Sequence, residues 1–206
     1  MKRRDLIFAT ALSSLVPATG FTAAAGAGSV VGIVGQCLVQ RDGRPTPLKL
    51  GDAVAVSDTI DVPTDGKLKL RMSDGSVISL APGTRMTVAA YQTDPAGQRQ
   101  NAQLSLSQGL LRAVVAPVDH PTIFEVSTAV GTAAVRSTDW FIESKPGSAQ
   151  VGVLSGSVVL RSGATRREVT IPARWGARLE AGRDPVEARV WAPQEFQAVI
   201  SRTDVP

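Results

Sequence analysis

Phe124-Glu-Val-Ser-Thr-Ala-Val-Gly-Thr-Ala-Ala-Val-Arg-Ser-Thr-Asp-Trp-Phe-Ile-Glu143 is the stretch on which the fold turns. It opens as a strand, with Phe124, Val126 and Thr128 on one face and Glu125 and Ser127 on the other. Gly131 breaks the alternation, and a second β-rich run reaches Trp140-Phe141-Ile142. Between the two runs stand Ala133, Ala134, Val135, Arg136, Ser137 and Thr138, small residues around one cation. Small residues let backbones approach closely, which predicts that packing holds Arg136. No nucleophile stands beside a base, so the stretch reads as architecture or a recognition edge, not an active site.

Outward from it, both flanks repeat the same style of short β runs cut by turn signals. Upstream, Ser29 to Val34 and Cys37 to Gln40 form an expected pair around Gly35-Gln36. Lys67 to Met72 alternates most cleanly, with Leu68, Leu70 and Met72 facing in and Lys67, Lys69 and Arg71 facing out. Asp74-Gly75 joins it to Val77–Leu80 as a hairpin. Thr93 to Asn101 is polar and aperiodic, and is expected to be a mobile loop or a boundary between halves. Ala102–Ser107 and Leu110–Val115 are expected as two runs around a Gly109 turn. Downstream come Gln150–Leu154, Ser157–Arg161, Glu168–Ile171, Ala177–Glu180 and Val186–Trp191. Only the tail Pro193 to Ser201 has helix spacing in the mature region, with Phe196, Val199 and Ile200 on one side; it is expected to cap the sheet. Turn spacings of about 8–12 residues predict an all-β fold, a sandwich, barrel or roll. Leu106-Ser-Gln-Gly-Leu-Leu111 and Val153-Leu-Ser-Gly-Ser-Val158 look alike, a loose recurrence that also allows a solenoid-like roll.

The start of the chain reads as an address. Lys2-Arg3-Arg4 precedes a short apolar run, Leu6 to Val16, and the small-residue stretch Ala23 to Ala27. Residues 1–25 are therefore expected to be an export signal, cut after Ala25 or Ala27. Arg3-Arg4 leaves both the general and the twin-arginine route open. The destination is periplasmic or secreted, with no transmembrane segment after cleavage. Loss of that segment lowers Lys+Arg from 22 to 19 and Asp+Glu from 18 to 17, too small an excess to argue for nucleic acid. The lone Cys37 cannot make an intrachain disulfide and reads as a buried thiol on a strand.

In order along the chain, these signals resemble the FecR domain family. They are Leu50-Gly51-Asp52, Asp58-Thr59-Ile60, Asp74-Gly75-Ser76, Leu106 with Gly109-Leu110-Leu111-Arg112, Val135-Arg136-Ser137-Thr138 with Phe141, and Val153-Leu154-Ser155-Gly156. Ser137 stands where the family usually has glycine. The resemblance covers about residues 30–160 of a domain spanning 26–206, with 161–206 as a β and helical extension. It implies an extracytoplasmic all-β domain without known catalysis. The best-described members relay a signal from an outer-membrane receptor to a sigma factor through an anti-sigma domain and a membrane span. An export signal followed at once by the domain predicts a free-standing module, a sensor or scaffold that binds a protein partner in envelope signalling. Binding of an envelope glycan or small ligand is the alternative.

Chemistry finds little material. The single His120 lies in a loop beside Asp119, and no nucleophile-elbow motif accompanies it. Asp52, Asp58, Asp61, Asp65 and Asp74 fall in successive turns without calcium-loop spacing, as turn aspartates do. No catalytic residue, metal ligand or cofactor is assigned. Arg136, Asp139, Trp140 and Trp175 are the candidate partner or ligand contacts. A guanidinium can clamp a carboxylate or carbonyl of a partner. The structural alternative for Arg136 is to satisfy turn carbonyls or to pair with Asp139 or Glu143, and it carries more weight. The three tryptophans would make a carbohydrate platform only if they were not core packing.

Overall fold

The computed structural model describes residues 26–205; the proposed export signal lies outside them. The chain crosses repeatedly between two sheets that enclose one apolar core. β1 (Gly28–Val34) enters sheet 1, then β2 (Leu38–Arg41) and β3 (Arg44–Pro47) lie in sheet 2. β4 (Ala53–Val54) returns to sheet 1, β5 (Thr59–Asp61) to sheet 2, and β6 (Lys67–Met72) and β7 (Val77–Leu80) form a hairpin in sheet 1. β8 (Arg85–Thr93) and the first part of β9 (Arg99–Val114) pair in sheet 2. β10 (Ile123–Ser127) and β11 (Gly131–Val135) extend sheet 2, while β12 (Asp139–Lys145) and β13 (Ser148–Ser155) extend sheet 1. β14 (Ser157–Ser162) and β15 (Glu168–Pro172) complete sheet 2, and β16 (Trp175–Glu180) and β17 (Arg189–Val190) complete sheet 1. Finally α1 (Pro193–Thr203) lies across the outer face of sheet 1. The all-β expectation with a short C-terminal helix holds.

Alternation explains the layers. In β6 the inward residues Leu68, Leu70 and Met72 are buried, while Lys67, Lys69 and Arg71 point away from the core. Phe124 and Val126 of β10 meet them from the other sheet within the same core. At about 25 cal/mol per Å² of apolar surface, such burial is the main stabilising term.

The recurrence of glycines marks where the chain changes sheets. β9 is one continuous strand: residues up to Gln108 pair in sheet 2, and Gly109 onward pair in sheet 1. Gly109 has φ +92, and a Cβ there would lie 2.5 Å from Thr84 Cα. Gly156, φ +84, does the same between β13 and β14, where a Cβ would lie 2.7 Å from Ser137 O. In both places a buried threonine latches the crossing. Thr84 Oγ1 donates to Leu110 O at 3.3 Å, and Thr138 Oγ1 donates to Ser157 O at 3.1 Å.

Three expectations are corrected. β1 and β2 are not a hairpin: Gly35 sends the chain across the core, so β1 pairs with β6 and β2 with β3 and β5. Ala102–Ser107 and Leu110–Val115 are one strand. Thr93–Asn101 is no boundary either; it is the tight β8–β9 connection, closed by Asp94, whose carboxylate accepts from Ala96 N at 2.9 Å and Gln98 N at 2.8 Å.

Candidate functional site

On the outer face of sheet 2 lies a groove of about 340 Å³, bordered by Ile123 and Glu125 of β10, Ala134 of β11, Val159 of β14 and the Arg136–Thr138 crossing. Register creates it. Glu125 stands opposite Ala134, and Ala134 opposite Val159, so a single methyl sits between two longer side chains. A second hollow of about 230 Å³ shares Thr122, Arg136 and Ser137 with it and is closed by Val118, Asp119, His120 and Pro121. Arg136 therefore stands where the two meet.

Its side chain is exposed, and among the described residues it makes no hydrogen bond or ion pair. The expected partners are taken. Asp139 accepts from Arg112 through Nε at 3.0 Å and Nη2 at 2.8 Å. Phe141 of β12 stands opposite Arg112 of β9, which puts Arg112 diagonal to Asp139 in sheet 1, whereas Arg136 leaves from sheet 2. Glu143 is held by Arg202 at 2.8 Å and Lys145 at 3.2 Å. Burial alone would push the Glu143 carboxyl up, but bonds and charge from Arg202 and Lys145 bring it below its ordinary range. The expected packing around Arg136 applies to its backbone only. Ser137 lies outside the left-handed region, so its side chain brings no backbone strain.

What fixes the Arg136 backbone is a residue that the alternation hides. Arg99 is wholly buried with Asp74, its ion-pair partner. It also donates to Ser76 Oγ at 3.3 Å, to Ala116 O at 3.2 Å and to Arg136 O at 3.0 Å. Its guanidinium lies 5.4 Å from the Phe124 ring centroid. Asp74 in turn accepts from Tyr91 Oη at 2.7 Å and from Ser76 N and Oγ at 2.9 and 2.8 Å. One buried cation thus ties together both loops that border the hollows. Ala102, Leu104 and Leu106 face inward, so strict alternation would point Gln100 in and Arg99 out. Gln92 pairs with Asn101 but Thr93 with Arg99, and this bulge at Gln100 rotates Arg99 into the core. The sequence signal was the Asp74-Gly75-Ser76 turn, which needs a buried donor once Asp74 is inside.

Of the four candidate contacts, only Arg136 borders the groove. Asp139 is engaged with Arg112, and Trp140 is wholly buried on the inner face of sheet 1. Trp175 is 36% exposed at the start of β16, away from both hollows. Trp191 packs on Phe141 and Phe196, with centroids 5.4 and 5.5 Å apart, so the three indoles form no common platform. His120 Nε2 lies 3.2 Å from Arg99 O and 3.1 Å from Gln100 Nε2; no carboxylate or hydroxyl bonds the ring among the described residues. The turn aspartates are dispersed: Asp58 pairs with Arg41, Asp61 with Arg85, and Asp74 with Arg99, while Asp52 accepts from Lys49 N.

Residues 58–159 match the family described as FecR protein. Two crystal structures of a candidate anti-sigma factor from Parabacteroides distasonis ATCC 8503 share the fold, each with a TM-score of 0.56 and 15% identity over 68% of this chain. The chain spans 62% and 63% of the length of those two structures. No curated protein matches it.

Proposed function

Residues 58–159 belong to the FecR family, and from that premise we propose that the chain is a non-catalytic regulatory module that binds a protein partner in the cell envelope. The family and the shared fold of the anti-sigma factor support a role in signalling. The export signal read at residues 1–25 supports action outside the cytoplasm.

The observation that carries the reading is Arg136, an exposed guanidinium without a partner, standing in a groove whose backbone a buried Arg99 holds in place. An uncommitted fork of N–H donors over an apolar floor fits a partner's carboxylate or a run of backbone carbonyls. Ile123, 46% exposed on the groove's rim, supplies apolar contact beside it. A partner segment lying along this groove would be bound by both.

The test is site-specific photo-crosslinking from position 123 in cells, with position 44 in the exposed strand β3 as a control. One protein should be captured at 123 and not at 44, and capture should be lost in Arg136→Ala while the fold is kept. Equal capture from both positions, or capture that survives Arg136→Ala, overturns the reading. Fractionation with sequencing of the mature N-terminus tests the location; a cytoplasmic protein that retains residues 1–25 would refute it.

A further inference from the structure

The outer face of sheet 1 carries a second apolar cluster, separate from the sandwich core, made of Ala81, Leu110, Phe141, Trp191 and Val199 with Leu154 and Phe196 against it. Its floor and its cover differ in origin. Ala81, Leu110, Phe141 and Leu154 lie inside the FecR-matched segment, whereas Trp191, Phe196 and Val199 lie outside it. The matched domain thus has an apolar outer face that, among the described residues, its C-terminal extension covers.

Two glycines hold the first part of the cover. Gly152 and Gly176 stand opposite each other in β13 and β16, and both lack a Cβ where aromatic rings lie. A Cβ on Gly176 would come within 2.6 Å of Trp191 Cζ2, and one on Gly152 within 2.5 Å of Phe141 Cε1. Trp191 is therefore socketed, and α1 begins just after it. Helix α1 itself is held differently. Only Val199 and Thr203 are buried, with Phe196 and Ile200 half-buried. Its other ties are polar and lie toward solvent: Lys67 Nζ donates to Ser201 O at 2.9 Å and Asp204 O at 3.0 Å, and Arg202 bonds Glu143 at 2.8 Å. Lys69 Nζ donates to Val205 O. A helix of 11 residues is not stable alone. Its opening would leave the sandwich core closed, because the two clusters are distinct.

We propose that the outer face of sheet 1 is a helix-docking site which α1 fills in cis, and that an amphipathic helix of a protein partner takes by displacing it. The surface defines the occupant. It wants an aromatic residue followed by an aliphatic one three positions later, as Phe196 and Val199 are, to fit Phe141 and Leu110. A cation near the end should reach Glu143, and the helix C-terminus should point at Lys67 and Lys69, whose charges suit its carbonyls. Trp191 stays in its socket and acts as the pivot. This site is on the opposite sheet from the Arg136 groove and does not depend on it.

The experiment uses the full chain and a fluorescein-labelled peptide of residues 192–205. Ala198→Pro breaks α1 at an exposed position without touching a strand. The peptide should bind the Ala198→Pro chain at least tenfold more tightly than the wild type, and Phe141→Ala or the pair Lys67→Ala and Lys69→Ala should remove that binding. In wild-type protein, hydrogen exchange at the α1 amides should be at least tenfold faster than in β9 and β12. Exchange of α1 only with global unfolding would overturn the proposal, whether or not the variant folds. So would failure of the peptide to bind a folded Ala198→Pro chain.

Discussion

Asp74→Asn isolates the charge that holds the Arg136 backbone in place. The change keeps the side chain's size but removes the carboxylate paired with a wholly buried guanidinium. Removing one partner of a buried ion pair costs about 3–5 kcal/mol, because the other charge is left in a poorly solvating interior. The asparagine oxygen, turned toward Arg99 and Ser76 Oγ, can still accept from both, while its amide then faces Ser76 N and gives up that one bond. Ser76 Oγ, Ala116 O and Arg136 O keep accepting from Arg99. The lower end, about 3 kcal/mol, is therefore expected. For a domain of this size that is a fall of about 6–12 °C in Tm. Urea unfolding followed by fluorescence of the buried Trp140 supplies the measurement. Arg99→Met should cost about as much alone, and the double variant should cost less than the two together by at least about 2 kcal/mol. Additive costs, or a loss below about 1 kcal/mol in Asp74→Asn, would show that the pair does not organise these loops.

Gly109→Ala and Gly156→Ala should each cost about 2–5 kcal/mol in urea unfolding, combining a left-handed backbone with overlap against Thr84 or Ser137. Gly147→Ala, at φ +72 with open space around it, should cost only about 1–2 kcal/mol, and equal losses at all three would refute the crossing role. Burial, then the Asp65 charge, pushes the Cys37 thiol from 9.0 up to about 11, so the native state is fully favoured below pH 9 and loses about 1.4 kcal/mol per unit as pH rises toward 11. A disulfide-exchange reagent at pH 8 should therefore leave native Cys37 unmodified and react on unfolding, and Cys37→Ala should flatten the alkaline slope. Burial, reinforced by Asp74, also raises the Tyr91 phenol, which adds a second alkaline loss above about pH 10; phenolate absorbance appearing before unfolding would contradict it. Arg136→Ala should change stability by less than about 0.5 kcal/mol, since its side chain holds nothing in the fold.

What the sequence made legible follows from where water is. Lys67 to Met72 could be read directly because one face of β6 meets the core and the other carries lysines. The tail helix could be read from Phe196, Val199 and Ile200 for the same reason. Crossings between sheets were hidden, because Gly35 and Gly109 look like hairpin turns in a string of letters. Whether a left-handed glycine reverses a strand or carries it into another layer depends on partners far away in sequence, here Gly66 and Thr84. Arg99 was hidden by a bulge, which resets the phase of alternation without leaving a composition signal. The isolation of Arg136 was hidden as well, since Asp139 and Glu143 are neighbours in sequence but belong to the other sheet.

The family-like segments acquire a common physical meaning from the two crossings. Thr84 latches Gly109, and Thr138 latches Gly156, so Leu106–Leu111 and Val153–Val158 resemble each other because they solve one problem twice. At the second crossing the latch is also the groove: Thr138, Gly156 and Ser157 border it, and the Arg136 carbonyl is pinned from inside by Arg99. The backbone there is fixed from both sides, by packing at Gly156 and by a buried charge at Arg99. Exposed loops bind poorly when ordering them must be paid for on contact. This one is ordered before any partner arrives, and the side chain it presents has no other bond to give up. Preorganised backbone under an unpaired guanidinium is what separates Arg136 from Arg44 and Arg174, which are also exposed but border neither hollow.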